Sequence, residues 1–403
     1  MTDADIRSLE VWLIEQGLAG TAGDALLHGF CGRCAAAGLP VARGLALIDT
    51  LHPIYEGRAY RWRDDGVEEP PVVEYGSSAE GEAAENWQSS TFFRMLERGE
   101  AELRMRLGEG ETGGYRLLER MRGEGYRDYV ALITRFPGGG IGDMDCVYSV
   151  FTTRAAAGFP DAALAALRRL MPSLALALKC GALAGIASTL ADVYLGHDAG
   201  RRVLSGRISR GVADRIGAVL WYSDLRGYTS ITDSAPPGEI IPLLNDYAEA
   251  VITSVHDAGG DVLKLIGDGT LAVFTGTDRA DGCRAALKAE AKLRRRLAVL
   301  NERRAGEGRP VTGVYLGLHV GDVLYGNIGS AERLDFTVVG PAVNEVARIA
   351  SMCRSVDRAV VVSEEFAAAT PQPQRRGLVS VGRYALRGVG RAQELFTLDP
   401  GGV

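Results

Sequence analysis

The 403-residue chain reads as α+β: a ferredoxin-like domain toward the C-terminus, preceded by an α+β sensor-like domain and a long connecting helix. Three observations predict this. Residues 216–386 run strand, helix, two short strands about a tight turn, long helix, strand, the β-α-β-β-α-β order of a two-layer sandwich of helices on a mostly antiparallel sheet. Residues 1–158 mix helical periodicity with short β-rich runs. Residues 160–195 then keep helical periodicity through an apolar stretch.

In the N-terminal half, residues 5–18 and 22–37 have helical spacing, and Leu45–Tyr55 is apolar. Arg58–Arg63 and Val72–Tyr75 flank the acidic turn Asp64-Asp65-Gly66 as short strands, and residues 91–106 read as helix. Tyr129–Phe136 and Cys146–Thr152 are β-rich runs separated by the loop Pro137–Asp145. Residues 160–195 form the exit helix, with a kink or break expected at Pro172. The pattern is similar to GAF-type or PAS-type input domains, without a specific motif. Residues 196–215 are Gly- and Arg-rich, poorly periodic, and read as a linker. The division is therefore 1–195, 196–215 and 216–403.

In the C-terminal half, Gly217–Ser223 is a strand, Glu239–His256 a helix, and Asp261–Ile266 and Thr270–Thr275 a hairpin about Gly267-Asp268-Gly269. Ala280–Asn301 is a long basic helix. Val314–Val320 and Asp335–Val339 are strands, Pro341–Met352 a helix, and Ala359–Ser363 and Leu378–Leu386 strands.

Composition limits the function classes. Hydrophobic residues make up 46% and charged residues 24%, a globular balance that argues against disorder. The net charge of −6 lacks the basic footprint of a nucleic-acid binder. Six cysteines are too sparse for a disulfide scaffold. Met1–Glu10 is polar and acidic, so no secretory signal is visible, and a cytoplasmic location is expected. Leu174–Leu195 is long enough to cross a bilayer. Lys179 lies inside it and Asp192 near its end, and charge near a membrane helix centre is costly. We read it as a buried or dimer-forming helix, not a membrane span. Leu176, Leu183, Ile186, Leu190 and Val193 form its apolar seam, expected to couple the two halves.

Three segments carry chemistry. In Tyr222–Thr229, Asp224 ends an apolar strand and a glycine turn follows, which offers a carboxylate and main-chain groups to a hard cation or a phosphate. Alone, such an Asp more often opens a turn or caps a helix. In Lys264–Gly269, Asp268 sits at a hairpin tip. Two carboxylates from adjacent strand ends can bridge two Mg²⁺ ions. Even spacing puts Lys264 and Asp268 on one strand face. In Thr337–Arg348, Asn344 and Arg348 lie four apart on a helix, where they can stabilise charge on a transferring phosphoryl group.

In order and spacing these segments resemble the catalytic domain of class III nucleotidyl cyclases, over about residues 212–398. The resemblance implies metal ligands at Asp224 and Asp268 and the carbonyl of Leu225, with two Mg²⁺ or Mn²⁺ ions per site. It makes Lys264 and Thr337 the base-selecting pair. Asn344 and Arg348 would orient the ribose and stabilise the transition state. Arg387 falls where the family often has a Lys that grips the triphosphate; Arg keeps the charge and changes the geometry. A Lys ammonium can donate to adenine N1 and a Thr hydroxyl can accept from the N6 amino group. The implied substrate is ATP and the product 3′,5′-cyclic AMP, with pyrophosphate leaving. Thr337 resembles the bicarbonate-responsive subgroup, which makes bicarbonate an expected effector, beside an unidentified ligand of the N-terminal domain. Family sites draw residues from two protomers, so a homodimer is implied. The alternatives are a cyclase of GTP or a pyrimidine nucleotide, or a catalytically silent ligand-sensing dimerisation protein.

Other patterns weigh less. Gly259-Gly260-Asp261-Val262-Leu263 only partly matches the diguanylate cyclase signature. Cys31-Gly32-Arg33-Cys34 is a lone CxxC that reads as ordinary packing. His28, His52 and His197 read as satisfied or surface residues, and Lys292–Arg296 as a solvated helix face.

Overall fold

The computed structural model describes residues 1–67, 69–76, 81–138 and 141–399. They form two compact units, Met1–Leu190 and Ala191–Val403, each with its own core.

The first unit opens with α1 (Asp3–Ala19) and α2 (Gly23–Ala36). A reciprocal capping box between Thr2 and Asp5 starts α1, and Gly20 ends it in the left-handed region at φ 69°. Strands β1 (Arg43–Asp49), β2 (Gly57–Arg63) and β3 (Val72–Tyr75) follow, then α3 (Gly81–Gln88), α4 (Thr91–Arg98), β4 (Glu102–Met105), α5 (Arg116–Gly123), β5 (Asp128–Arg135) and β6 (Cys146–Thr153). Residues 91–106 are thus not one helix. Gly99 takes φ 67° and caps α4, and the chain turns into β4. Of the loop Pro137–Asp145, residues 139–140 lie outside the described residues; Ile141 and Met144 form a β-bridge.

The six strands are ordered β3-β2-β1-β6-β5-β4, all neighbours antiparallel. Alternation along β1 sends Ala46 and Ile48 to one face, where they meet Leu27, Phe30 and Leu167. Leu45 and Leu47 go to the other face, beside Phe92, Leu118 and Tyr148. Burial of a side chain such as Leu13, Leu27 or Phe30, all fully buried, is worth about 1.5–3 kcal/mol. β6 is covered on both faces and is buried along its whole length. The CxxC cysteines Cys31 and Cys34 lie in this core, and burial pushes the Cys34 thiol up to about 12, as for an inert packing residue.

Helix α6 (Asp161–Leu195) carries the chain out of the first unit. It runs without a break through Pro172, contrary to expectation. Leu170, Met171, Leu174 and Leu178 are all buried around that position, and packing outweighs one lost hydrogen bond. By length and composition α6 could cross a membrane, and 33% of its most apolar window is buried in the protein. The expected seam is divided: Ile186 is buried and Leu183 and Leu190 pack against the same core, while Leu176 and Val193 are exposed.

The second unit takes in the last turn of α6 and then α7 (His197–Leu204), inside the segment expected to be a linker. Asp198 and Arg202, one turn apart, pair at 2.6 Å, and Ala199 is buried, which stabilises helix over irregular chain. Then come β7 (Ala213–Leu225), α8 (Tyr228–Ser234), α9 (Pro237–His256), β8 (Asp261–Ile266), β9 (Gly269–Phe274), α10 (Arg279–Gly306), β10 (Val314–Gly329), β11 (Leu334–Val339), α11 (Pro341–Val356), β12 (Val360–Ser363), α12 (Glu364–Ala369), β13 (Leu378–Tyr384) and β14 (Gln393–Leu398). The sheet order is β13-β14-β12-β10-β7-β9-β8, with β11 paired to β10. Its part β10-β7-β9-β8, with α9 and α10, is the ferredoxin-like core. Trp221, Tyr247, Phe274 and Leu293 fill one side. Leu220, Val323, Tyr325 and Val346 fill the other. There α11 lies directly on β10 at Gly317: a Cβ at this position would stand 2.6 Å from the Ala350 nitrogen and 2.7 Å from the Val346 oxygen. This close approach fixes the height of Asn344 and Arg348 above the sheet.

Candidate active site

Asp224 and Leu225 are the last residues of β7. The β7–β9 register sets Ser223 opposite Thr270, so the end of β7 lies beside the start of β9. Asp268 follows Gly267 in the two-residue turn between β8 and β9, where Gly267 takes φ 64°, a conformation natural to glycine. Asp224, Leu225 and Asp268 thereby line one cleft of about 190 Å³, closed on the helix side by Asn245 and Tyr247 of α9. Tyr247 is fixed by its hydroxyl, which accepts from the Thr312 main-chain N–H at 2.7 Å.

The Asp224 carboxylate accepts from the Leu225 main-chain N–H at 3.2 Å. Burial, then the hydrogen bond and charge of Asp268, push its carboxyl up to about 6. Two carboxylates in one cleft, with Asp268 opposing the ionisation of Asp224, form a hard-oxygen donor set. These residues fit a divalent cation, which would relieve that repulsion.

The remaining sequence-predicted residues do not line this cleft. Lys264 projects elsewhere: its ammonium pairs with the carboxylate of Asp335 on β11. The expectation that Lys264 and Asp268 share a strand face fails for a local reason. β8 ends at Ile266 and Asp268 sits in the turn before β9, so alternation does not extend from Lys264 to Asp268. Thr337 lies two residues beyond Asp335 on β11, hence on the same face. Phe336 and Val338, on the opposite face, are buried.

Asn344 is exposed in the first turns of α11, with Arg348 one turn further. Arg348 reaches the loop after β13: a Cβ on Gly388 would lie 3.9 Å from its guanidinium. Arg387, next to Gly388, is exposed. Asp224 and Asp268 thus share one cleft, and Lys264, Thr337, Asn344, Arg348 and Arg387 do not line it. Asp335 escaped the sequence reading. Its signal was the even spacing to Thr337. His197 and His256 lie ring against ring at 5.8 Å, away from the residues lining the cleft.

The segment that holds these residues resembles known proteins. Residues 213–399 match the model of the adenylate and guanylate cyclase catalytic domain. An adenylate cyclase of Anabaena cylindrica is 33% identical over 161 residues, 39% of this chain and 31% of that one. An uncharacterized protein of Mycobacterium tuberculosis is 31% identical over 202 residues, 48% of this chain and 35% of that one. The chain spans about a third of the length of these curated relatives. Among solved structures, a bacterial light-regulated adenylyl cyclase is similar over 54% of this chain and 62% of its own, at 20% identity and TM-score 0.47. The matched segment begins at the first residue of β7 and ends just after β14, and so takes in all of these residues. Residues 213–399 belong to the class III adenylyl and guanylyl cyclase catalytic-domain family.

Proposed function

We propose that the chain is an adenylate cyclase that acts as a homodimer and converts ATP to 3′,5′-cyclic AMP and pyrophosphate. The observation that carries the reading is the pairing of Asp224 with Asp268 in one cleft, apart from Lys264, Thr337, Asn344 and Arg348. A two-fold pairing of chains would set the acidic group of one against the nucleotide-binding group of the other, twice.

In this reading Asp224, Asp268 and the Leu225 carbonyl hold two Mg²⁺ or Mn²⁺ ions, whose charge would neutralise the triphosphate and activate the ribose 3′-oxygen. Lys264 donates to adenine N1 and Thr337 accepts from N6. Asn344 orients the ribose. Arg348 neutralises charge at the α-phosphate as the 3′-oxygen attacks, and Arg387 holds the outer phosphates. The ATP requirement fits a domain facing the cytoplasm, and bicarbonate is the first effector to test on it.

The experiment is direct. Purified full-length protein is incubated separately with ATP, GTP, CTP and UTP, with Mg²⁺ or Mn²⁺, and products are identified by mass. Cyclic AMP from ATP alone is expected, and none from Asp224→Ala. Cyclic GMP as the main product would overturn the base assignment. No product from either the full chain or residues 191–403 would overturn the enzymatic reading.

A further inference from the structure

We infer that the first unit binds a small aromatic anion, a planar ring bearing a carboxylate or phosphate, between its sheet and helices α3 to α5. A cavity of about 800 Å³ lies there, of the size that holds small ligands. Its floor is the sheet face opposite α1 and α2, at Leu45, Leu47 and Val150.

Two features define the ligand. Trp87, Phe92 and Tyr148 converge on one side of the cavity. Trp87 meets Tyr148 nearly edge-on at 5.7 Å, and Phe92 lies 5.0 Å from the same ring. Such a wall favours a flat π-system over a flexible chain. The second feature is Arg61, opposite Leu45 in the sheet and also lining the cavity. Its Nε is buried without a hydrogen-bond partner among the described residues. Nearby arginines are committed: Arg58 pairs with Glu74, Arg63 with Asp65 and Glu69, and Arg154 with Asp64 and Asp65. A buried N–H left unpaired costs free energy that an incoming anion recovers. The fork of Arg61 suits carboxylate or phosphate oxygens. Four acids also line the cavity, Asp49, Glu56, Asp143 and Asp145, but they gather at the Asp49 end of β1, four residues along from the Leu45–Arg61 pair, and Asp49 is occupied by the Tyr75 hydroxyl at 2.5 Å.

The test uses the full chain and two fluorescent probes of one skeleton. They are 1-anilinonaphthalene-8-sulfonate, which is anionic, and N-phenyl-1-naphthylamine, which is neutral. The anionic probe should bind saturably at one site per chain, with energy transfer from tryptophan that falls in Trp87→Phe, and saturating ATP should leave its binding unchanged. Arg61→Met should weaken the anionic probe about tenfold or more and leave the neutral one unchanged. Arg61→Lys should retain most of the affinity, which separates charge from folding. Displacement by ATP, no saturable binding, or equal weakening of both probes in Arg61→Met would each overturn the proposal.

Discussion

The ammonium of Lys264 on β8 is ion-paired with the carboxylate of Asp335 on β11. Both side chains are close to half exposed, so the pair itself adds little to stability. Its consequence is positional. One of three donors on Lys264 is taken by Asp335, which holds the ammonium on the side of β11 that also carries Thr337.

Asp335→Ala should therefore loosen Lys264 while the fold is retained. The expected result is a rise in KM for ATP of about two- to fivefold, with a smaller change in kcat and a lower ATP-over-GTP preference. Steady-state kinetics with both nucleotides checks this. Unchanged selectivity would make the pair incidental to base choice.

The separation of Asp224 and Asp268 from Arg348 predicts complementation. Asp224→Ala and Arg348→Ala should each be inactive or nearly so, Arg348→Ala by about 10²- to 10³-fold in kcat. Mixed in equal amounts, the two variants should regain about a quarter of wild-type activity, because half of the dimers then hold one intact site. An inactive mixture that nevertheless exchanges subunits would show that both groups serve a site within one chain.

Asp49 predicts a pH dependence of stability. Burial, opposed by the Tyr75 hydrogen bond and reinforced by the charges of Glu56, Asp145 and Asp143, raises its carboxyl from 3.8 to about 6. Between those values the folded state keeps a proton that the unfolded state releases. Its contribution to stability is present at the acid end of that window and is lost as pH rises through it. Asp49→Asn imitates the protonated form and still accepts from Tyr75. It should raise Tm more at about pH 8 than at about pH 5. Melts of equal gain at both would contradict the assignment.

Asp128 predicts a large stability loss. It is buried, and its carboxylate accepts from the Arg104 guanidinium at 2.6 Å and from the main-chain N–H groups of Phe159 at 2.9 Å and Tyr129 at 3.0 Å. Asp128→Ala removes the acceptor of the Phe159 main-chain N–H and leaves Arg104 with the Phe159 carbonyl at 2.7 Å but no close carboxylate, and should cost about 3–5 kcal/mol. The urea transition of the first unit measures it.

Much of this was legible in the residues, because the signals were local. The β-α-β-β-α-β order followed from periodicity, and the hairpin about Gly267-Asp268 from a turn that needs glycine. Errors came where packing overruled local preference. Pro172 was expected to break α6, but the apolar residues around it are buried on one core and hold the helix together. Residues 197–204 looked irregular, yet Ala199 is buried and Asp198–Arg202 closes a turn.

The sequence by itself determined the residue types of the segment that matches the cyclase family. Two aspartates, a Lys and Thr, and an Asn and Arg one helical turn apart stand in an order that names a family, because those residue types are set by charge and hydrogen bonding. Only the tertiary structure decided their grouping. The β7–β9 register joins Asp224 to Asp268, the end of β8 at Ile266 sends Lys264 to Asp335, and Gly317 lets α11 settle on β10. The cavity beside Arg61 has the same origin. It exists because residues from separate strands and helices converge, and convergence is a property of packing that one-dimensional spacing does not record.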